Sequence, residues 1–208
     1  MSDREAKLRD GTPIVVRPIR PEDKAALMAA FERLSPESRY RRFFRSLKRL
    51  SATDLRYLTE VDHHDHEALV AFDGDGNLIG VARYIRSEED RTSAEVAVTV
   101  VDDWQSRGVA SELLARLVRR ARDERITHFL ALVLSDNRDA LGLFQNLASN
   151  EVHPRSRDGH LELMIELPRG GLSDTALWRA LRGAAAETVE FNPLRLLKRV
   201  RGDNRPDR

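Results

Sequence analysis

Residues 102–110 read Asp-Asp-Trp-Gln-Ser-Arg-Gly-Val-Ala, between a β-branched run and an apolar stripe. The run, residues 92–101, has the alternation of a strand. From Gly108 to about Glu124, Leu113, Leu114, Leu117, Val118 and Ala121 recur at helical spacing. A strand, a short loop and a helix in that order suit an anion. The first amides of a helix have no partner within it, and its dipole favours negative charge there. Gly108 lets the backbone approach a phosphate closely, and Ala110 is too small to obstruct it. Arg107 either adds positive charge or points to solvent. The strand carries a second chemical feature. Side chains alternate, so Ser93, Glu95, Ala97 and Thr99 share one face, and Val96, Val98 and Val100 the other. Glu95 is thus a carboxylate on a small, polar face, placed to accept a proton. Glu88 and Glu89 offer the same group from a loop.

Other candidate chemistry is weaker. Asp62-His63-His64-Asp65-His66 places three of the six histidines beside two acids. Neighbours on an extended segment point apart, so few of them can share one metal ion, and a polar connecting loop is the better reading. Arg39, Arg41, Arg42, Arg45, Lys48 and Arg49 alternate with Tyr40, Phe43 and Phe44. At helical spacing the aromatics belong to a core, and the basic residues to a solvated face or to phosphate contacts rather than to a nucleic-acid surface. The chain has no cysteine, which excludes disulfides, a thiolate nucleophile, Cys-ligated zinc and iron–sulfur clusters.

These residues need a scaffold, and the sequence outlines one. Residues 14–17 lie between Pro13 and Pro18 and read as an edge or opening strand. Pro21-Glu22-Asp23 opens a helix with Leu27, Ala30, Phe31 and Leu34 as its stripe. Ser35-Pro36 starts a second helix, and Ser51 caps a third. Residues 67–72 and 78–86 are strands joined by the hairpin turn Asp73-Gly74-Asp75-Gly76-Asn77. Residues 128–134 form a buried strand, 137–147 a helix and 160–167 a closing strand. The order implies one α/β (α+β) layer fold, a mixed central sheet with helices on both faces. Residues 1–168 form its domain. Residues 169–208, after Pro168-Arg169-Gly170-Gly171, are a C-terminal helical, basic extension.

The loop Gln105-Ser106-Arg107-Gly108-Val109-Ala110 resembles the acyl-CoA-binding signature Gln/Arg-x-x-Gly-x-Gly/Ala of the GNAT acetyltransferase superfamily. The preceding Ala94-Glu95-Val96-Ala97-Val98-Thr99-Val100-Val101 strand, the following helix and the element order over residues 14–167 match it too. Arg17-Pro18-Ile19-Arg20-Pro21-Glu22-Asp23, Leu34-Ser35-Pro36-Glu37-Ser38-Arg39-Tyr40 and Ala94-Glu95-Val96-Ala97-Val98 resemble the bacterial protein-lysine acetyltransferase (Pat-like) branch. The resemblance implies the GNAT acyl-CoA N-acyltransferase fold and an enzyme that moves acetyl from acetyl-CoA to a primary amine, with a protein lysine as leading acceptor. It assigns the cofactor to residues 105–110, Ser111, Asn137 and the backbones of Val98 and Val100, where a splay separates this strand from the next. It assigns the general base to Glu95. An amine of pKa about 10.4 is almost wholly protonated at pH 7, so attack on a thioester needs such a base.

Two positions depart from the family. The tyrosine that many members carry seven residues after the helix asparagine, as the acid for the leaving thiolate, is Phe144 here. Either the thiolate leaves unaided, its pKa being only about 8.5, or another group serves. The usual Gly-Phe closing that helix is replaced by Leu147-Ala148-Ser149-Asn150. With no cysteine for an acyl-enzyme, direct transfer in a ternary complex is favoured over covalent relay. A small-molecule amine acceptor and a non-catalytic acyl-CoA-binding domain are the alternatives.

The 208 residues carry 35 Lys+Arg against 34 Asp+Glu, a formal charge of +1, which argues against a whole-domain nucleic-acid partner. No stretch reaches the roughly 20 apolar residues of a membrane span. The N-terminus lacks the apolar segment of a secretory signal, so cytoplasm is the expected location. No metal is expected. Leu194, Leu196, Leu197 and Val200, among basic residues, suit a docked helix with a frayed tail better than a membrane contact. Trp178 and Leu181 anchor the preceding helix to the domain or to a second subunit, which makes a homodimer a candidate assembly.

Overall fold

A computed structural model describes residues 4–8, 10–43, 47–134, 155–157 and 160–167. Eight strands lie in one sheet: β1 (Arg4–Lys7), β2 (Pro13–Pro18), β3 (His66–Phe72), β4 (Leu78–Arg86), β5 (Ser93–Val100), β6 (His128–Leu134), β7 (Arg155–Arg157) and β8 (His160–Glu166). Their order is β1-β2-β3-β4-β5-β6-β8-β7. All neighbours are antiparallel except β5 and β6, which run parallel. The helices are α1 (Lys24–Glu32), α2 (Pro36–Phe43), α3 (Ala52–Thr59) and α4 (Val109–Asp123). This is the mixed α/β sheet with helices on both faces that the sequence implies. The helix expected over 137–147 and the extension 169–208 lie outside the described residues.

Local signals account for most of these elements. Ser51 and Asp54 cap α3 reciprocally: Ser51 Oγ accepts the Asp54 N–H at 3.1 Å, and Asp54 Oδ2 accepts the Ser51 N–H at 2.8 Å. The Asp73 N–H donates to the Asn77 carbonyl at 3.0 Å and closes the β3–β4 hairpin. Pro21–Asp23 form a 3-10 turn leading into α1, tightened because Asp23 reaches back to the Arg20 N–H at 2.8 Å and to both Arg17 terminal nitrogens at 2.7 Å. Burial opposes ionisation of Asp23, but the bonds from Arg17 and Arg20 outweigh it and lower its pKa. The end of β2 thereby fixes where α1 begins.

Two expectations need correction. Residues 14–17 are not an edge: β1 folds back along β2, pairing Arg4 with Val16 through Lys7 with Pro13. Strand β1 (Arg-Glu-Ala-Lys) has no apolar alternation by which to announce itself, as suits an outermost strand; the three-residue β7 escapes notice for the same reason. Tyr40 is not core but 48% exposed. Its helix neighbour Arg39 instead packs its guanidinium over the Phe31 ring, 4.6 Å from the centroid.

Gly80 shows how the layers meet. A Cβ there would lie 3.0 Å from Val109 Cγ1 and 3.1 Å from Leu113 Cδ1, so α4 rests directly on the β4 backbone. Directly paired residues share a face. Gly80, Ala82 and Tyr84 therefore lie under α4 with Val100, Val98 and Val96. Leu113, Leu117 and Ala121 of α4 are fully buried against that face, each large apolar side chain worth roughly 1.5–3 kcal/mol. Two arginines pin the helix from its flank. Arg116 donates to the Val16 carbonyl, and Arg120 pairs with the buried Glu67 at 3.0 Å. The other face, with Val81, Arg83 and Thr99, lies under α1 and α3.

Candidate functional site

The loop between β5 and α4 is held by its own side chains and by distant partners. Asp102–Trp104 make one 3-10 turn, Ser106 takes φ +60° and Gly108 φ +98°, and α4 starts at Val109. Gly108 precedes the helix in the left-handed region, where a Cβ would be strained. The helical ladder opens with the Glu112 N–H on the Gly108 carbonyl at 3.1 Å, so the Val109 and Ala110 amides stand outside it. Gly108, as N-cap, brings no side chain of its own to cap these amides.

Gln105 and Arg107 act on the loop itself. Gln105 Nε2 donates to the Val100 carbonyl and to Asp102 Oδ1, each at 3.2 Å. Arg107 stacks over Trp104, 4.0 Å from the ring centroid, and pairs with Asp10 at 2.9 Å and Thr12 Oγ1 at 3.0 Å. Its charge is thus matched across the loop by Asp10. Hydrogen bonds from Thr12, then from Arg107, hold the Asp10 pKa down at about 2. Asp102 Oδ2 accepts the Ser35 N–H at 3.0 Å, and Arg33 pairs with Asp103 at 2.6 Å. The turn between α1 and α2 is thus tied to this loop. Asp10, Thr12, Arg33 and Ser35 carry no local mark of such a role; about 70 to 97 residues separate the partners.

Strand β5 opens on one side. The amides of Thr127 and His128 donate to the Thr92 carbonyl, which therefore faces β6, whereas the Val101 N–H donates to Ile79 on β4. Backbone groups alternate in direction along a strand, so those of Val96, Val98 and Val100 face the β6 side. Yet the β5–β6 register runs only from Ser93–His128 to Glu95–Leu130. Past Glu95 the two strands part. The Val98 and Val100 side chains are buried under α4, and their backbones border the gap.

Glu95 sits where the ladder ends. It is half-buried and pairs with Ile85 on one side and Leu130 on the other; Leu130 in turn pairs with Met164. The face is small and polar along β5, as expected, but apolar across the strands, because the neighbouring strands set that direction. Glu88 and Glu89 are exposed in the β4–β5 connection. Asn137 and Phe144 lie outside the described residues. Val109 is buried, Ser111 is buried and Ala110 half-buried at the head of α4.

The histidine cluster disperses. Asp62 Oδ1 accepts the amides of His64, Asp65 and His66. His63 bonds Glu67, His64 bonds Asp65, and His66 meets Arg83. No group of three or more such residues suited to a metal occurs among the described residues. No helix among them is long and apolar enough to cross a membrane.

The family model "Acetyltransferase (GNAT) family" matches residues 26–148, more than half of the chain. The chain belongs to the GNAT acetyltransferase family. This GNAT chain is 38% identical over 132 residues to the acetyltransferase Pat of Mycolicibacterium smegmatis, covering 63% of itself and 39% of that protein. It is 35% identical over 118 residues to a Pseudomonas aeruginosa acetyltransferase, covering 55% of itself and 63% of that protein. It thus spans less than two thirds of either relative. The crystal structure of the GNAT domain of S. lividans PAT superposes with a TM-score of 0.73 at 36% identity, over 79% of this chain and 97% of that one. The GNAT fold expected from the sequence is therefore the fold present.

Proposed function

We propose that this GNAT chain transfers an acetyl group from acetyl-CoA to a primary amine, with a protein lysine as the leading acceptor and Glu95 as general base. One observation carries the reading: β5 parts from β6 immediately after Glu95, and the opened edge leads to the head of α4. The geometry suits an acyl-CoA. Amides at the head of α4, from Val109 onward, would hold its pyrophosphate. The backbones of Val98 and Val100 would hold its arm, and Gln105 keeps the Val100 carbonyl in place at the mouth of the gap.

Acetyl-CoA supplies the acyl thioester; the rest is done by this chain. Glu95 accepts the ammonium proton, directly or through water, so that the amine becomes a nucleophile. A backbone N–H of β5 stabilises negative charge developing on the thioester oxygen. Forming the C–N bond and breaking the C–S bond in one ternary complex needs no covalent enzyme intermediate. The resemblance of residues 17–23, 34–40 and 94–98 to the bacterial protein-lysine acetyltransferase branch supports a lysine acceptor.

The test is acetyl transfer to a peptide library by wild type and Glu95→Gln, with acetyl-CoA binding measured in parallel. Glu95→Gln should lower kcat about 100-fold or more while acetyl-CoA affinity stays within about twofold. The acid limb of the kcat/KM–pH profile should vanish with it. Equal turnover by the two proteins removes Glu95 from the reaction. Binding without transfer to any amine would identify a non-catalytic acyl-CoA-binding domain.

A further inference from the structure

Strand β4 carries two buried arginines in opposite surroundings. Arg86, on the α4 face, has its Nε 2.7 Å from Asp65 Oδ1 and a terminal nitrogen 3.9 Å from Glu124. Arg83, on the other face, is 2% exposed. Its Nη1 lies 3.1 Å from His66 Nε2, and its Nη2 donates to the Leu58 carbonyl at 3.2 Å. Both acceptors are neutral, since burial, reinforced by the Arg83 charge, drives the His66 pKa down to about 3. Burial lowers Arg83 only to about 10, so it remains a cation at neutral pH. Its Nε has no hydrogen-bond partner, and among the described residues no carboxylate pairs with it. A buried charge without a counter-ion is costly.

A second orphan lies beside the first. Thr99 Oγ1 is buried and has no hydrogen-bond partner among the described residues. Thr99 pairs with Val81 and Arg83 with Ala97, so Arg83 and Thr99 are diagonal neighbours on one face. Both line a cleft whose walls include Leu27 and Phe31 of α1, Leu34 after it and Leu58 of α3. Among the described residues, two polar groups without a hydrogen-bond partner thus belong to side chains that line an otherwise apolar cleft.

We propose that this cleft binds a small carboxylic acid on a short aliphatic stem, its carboxylate against Arg83 and Thr99 and its stem among the leucines. A single guanidinium matches a monoanion, and apolar walls exclude strongly hydrated dianions such as phosphate. Ala97, opposite Arg83, is the next residue after Glu95 on this face, about 7 Å along the strand. The carboxylate has two sources: the acid group of a free amino-acid acceptor, which would take the place of the protein lysine, or a free aliphatic acid acting as effector. Only the first rests on the acetyl-transfer reading.

The experiment compares binding of valerate and valeramide to the full chain at pH 7, by ligand-observed NMR or calorimetry. Valerate should bind about tenfold or more tighter than its amide. Arg83→Met should erase that preference and Thr99→Val weaken it several-fold, with undiminished acetyl-CoA binding as the check of folding. Should Arg83→Met fail to fold, Thr99→Val carries the comparison. Equal binding of acid and amide, no binding of either, or a preference untouched by substitution overturns the pocket. Acetyl transfer to lysine and to cadaverine, which lacks the carboxylate, separates the sources. A lysine preference lost in Arg83→Met identifies the acceptor; equal turnover with valerate still bound identifies an effector. A chain that binds valerate but acetylates no amine refutes the transfer reading and leaves the pocket standing.

Discussion

Arg107 gives its guanidinium to Asp10, Thr12 and the Trp104 ring, although its place in the loop suggests a phosphate ligand. The two roles separate experimentally. As a clamp on the loop, Arg107 needs Asp10, so Asp10→Asn and Arg107→Ala should each raise the KM for acetyl-CoA about two- to fivefold, the scale of a partly exposed ion pair. As a phosphate ligand, Arg107 would be released by Asp10→Asn and the KM would fall instead. Steady-state kinetics of both variants decides. Glu95 differs in kind. Strand alternation alone puts it opposite the valines, but the apolar row of Ile85, Leu130 and Met164 beside it comes from three other strands.

Helix α4 is the element on which the site depends, and Gly80 sets its height above the sheet. A side chain there would meet Val109 and Leu113 near 3 Å, with the Thr99 carbonyl 3.3 Å away. Gly80→Val should therefore lift the head of α4, costing about 1–3 kcal/mol of stability as overpacking does. It should also weaken acetyl-CoA binding, because the displaced residues supply the first amides of the helix. Denaturant unfolding and calorimetry read the two effects; unchanged acetyl-CoA affinity in a destabilised protein would separate the helix tip from the ligand. The strands β3, β4, β5 and β6 lie within a residue of where alternation and turn residues put them, since burial under helices imposes the pattern locally. The short charged strand β1 has no such pattern, and pairing alone creates it.

Across the molecule, His66 joins three elements: it belongs to β3, meets the Tyr57 ring of α3 at a tilt with centroids 5.3 Å apart, and contacts Arg83 of β4. Its pKa falls from 6.5 to about 3, first through burial and then through the Arg83 charge. Between those values the unfolded chain binds the extra proton. The stability is therefore complete above about pH 6.5 and is lost as pH falls toward 3. Thermal or urea unfolding should show a loss of up to about 2 kcal/mol by pH 5. His66→Gln, which keeps an acceptor for Arg83, should flatten that slope. The lowered carboxyls of Asp23, Asp62 and Asp65 lose their contributions only below about pH 4, so the His66 effect is read between pH 6.5 and about 4. An unchanged slope in His66→Gln would assign the acid sensitivity elsewhere.

The 105–110 loop, the strand before it and the segments at 17–23 and 34–40 carried the resemblance to the GNAT family, and periodicity with turn residues placed strands β2 to β6 and β8. Those features are written in short-range spacing, and burial of one face enforces them residue by residue. The partners of Arg107, the tie from Ser35 to Asp102, the parting of β5 from β6 after Glu95 and the uncompensated charge of Arg83 belong to the folded molecule alone. Each joins segments remote in the chain, and a charge is matched or orphaned only by what packing brings beside it.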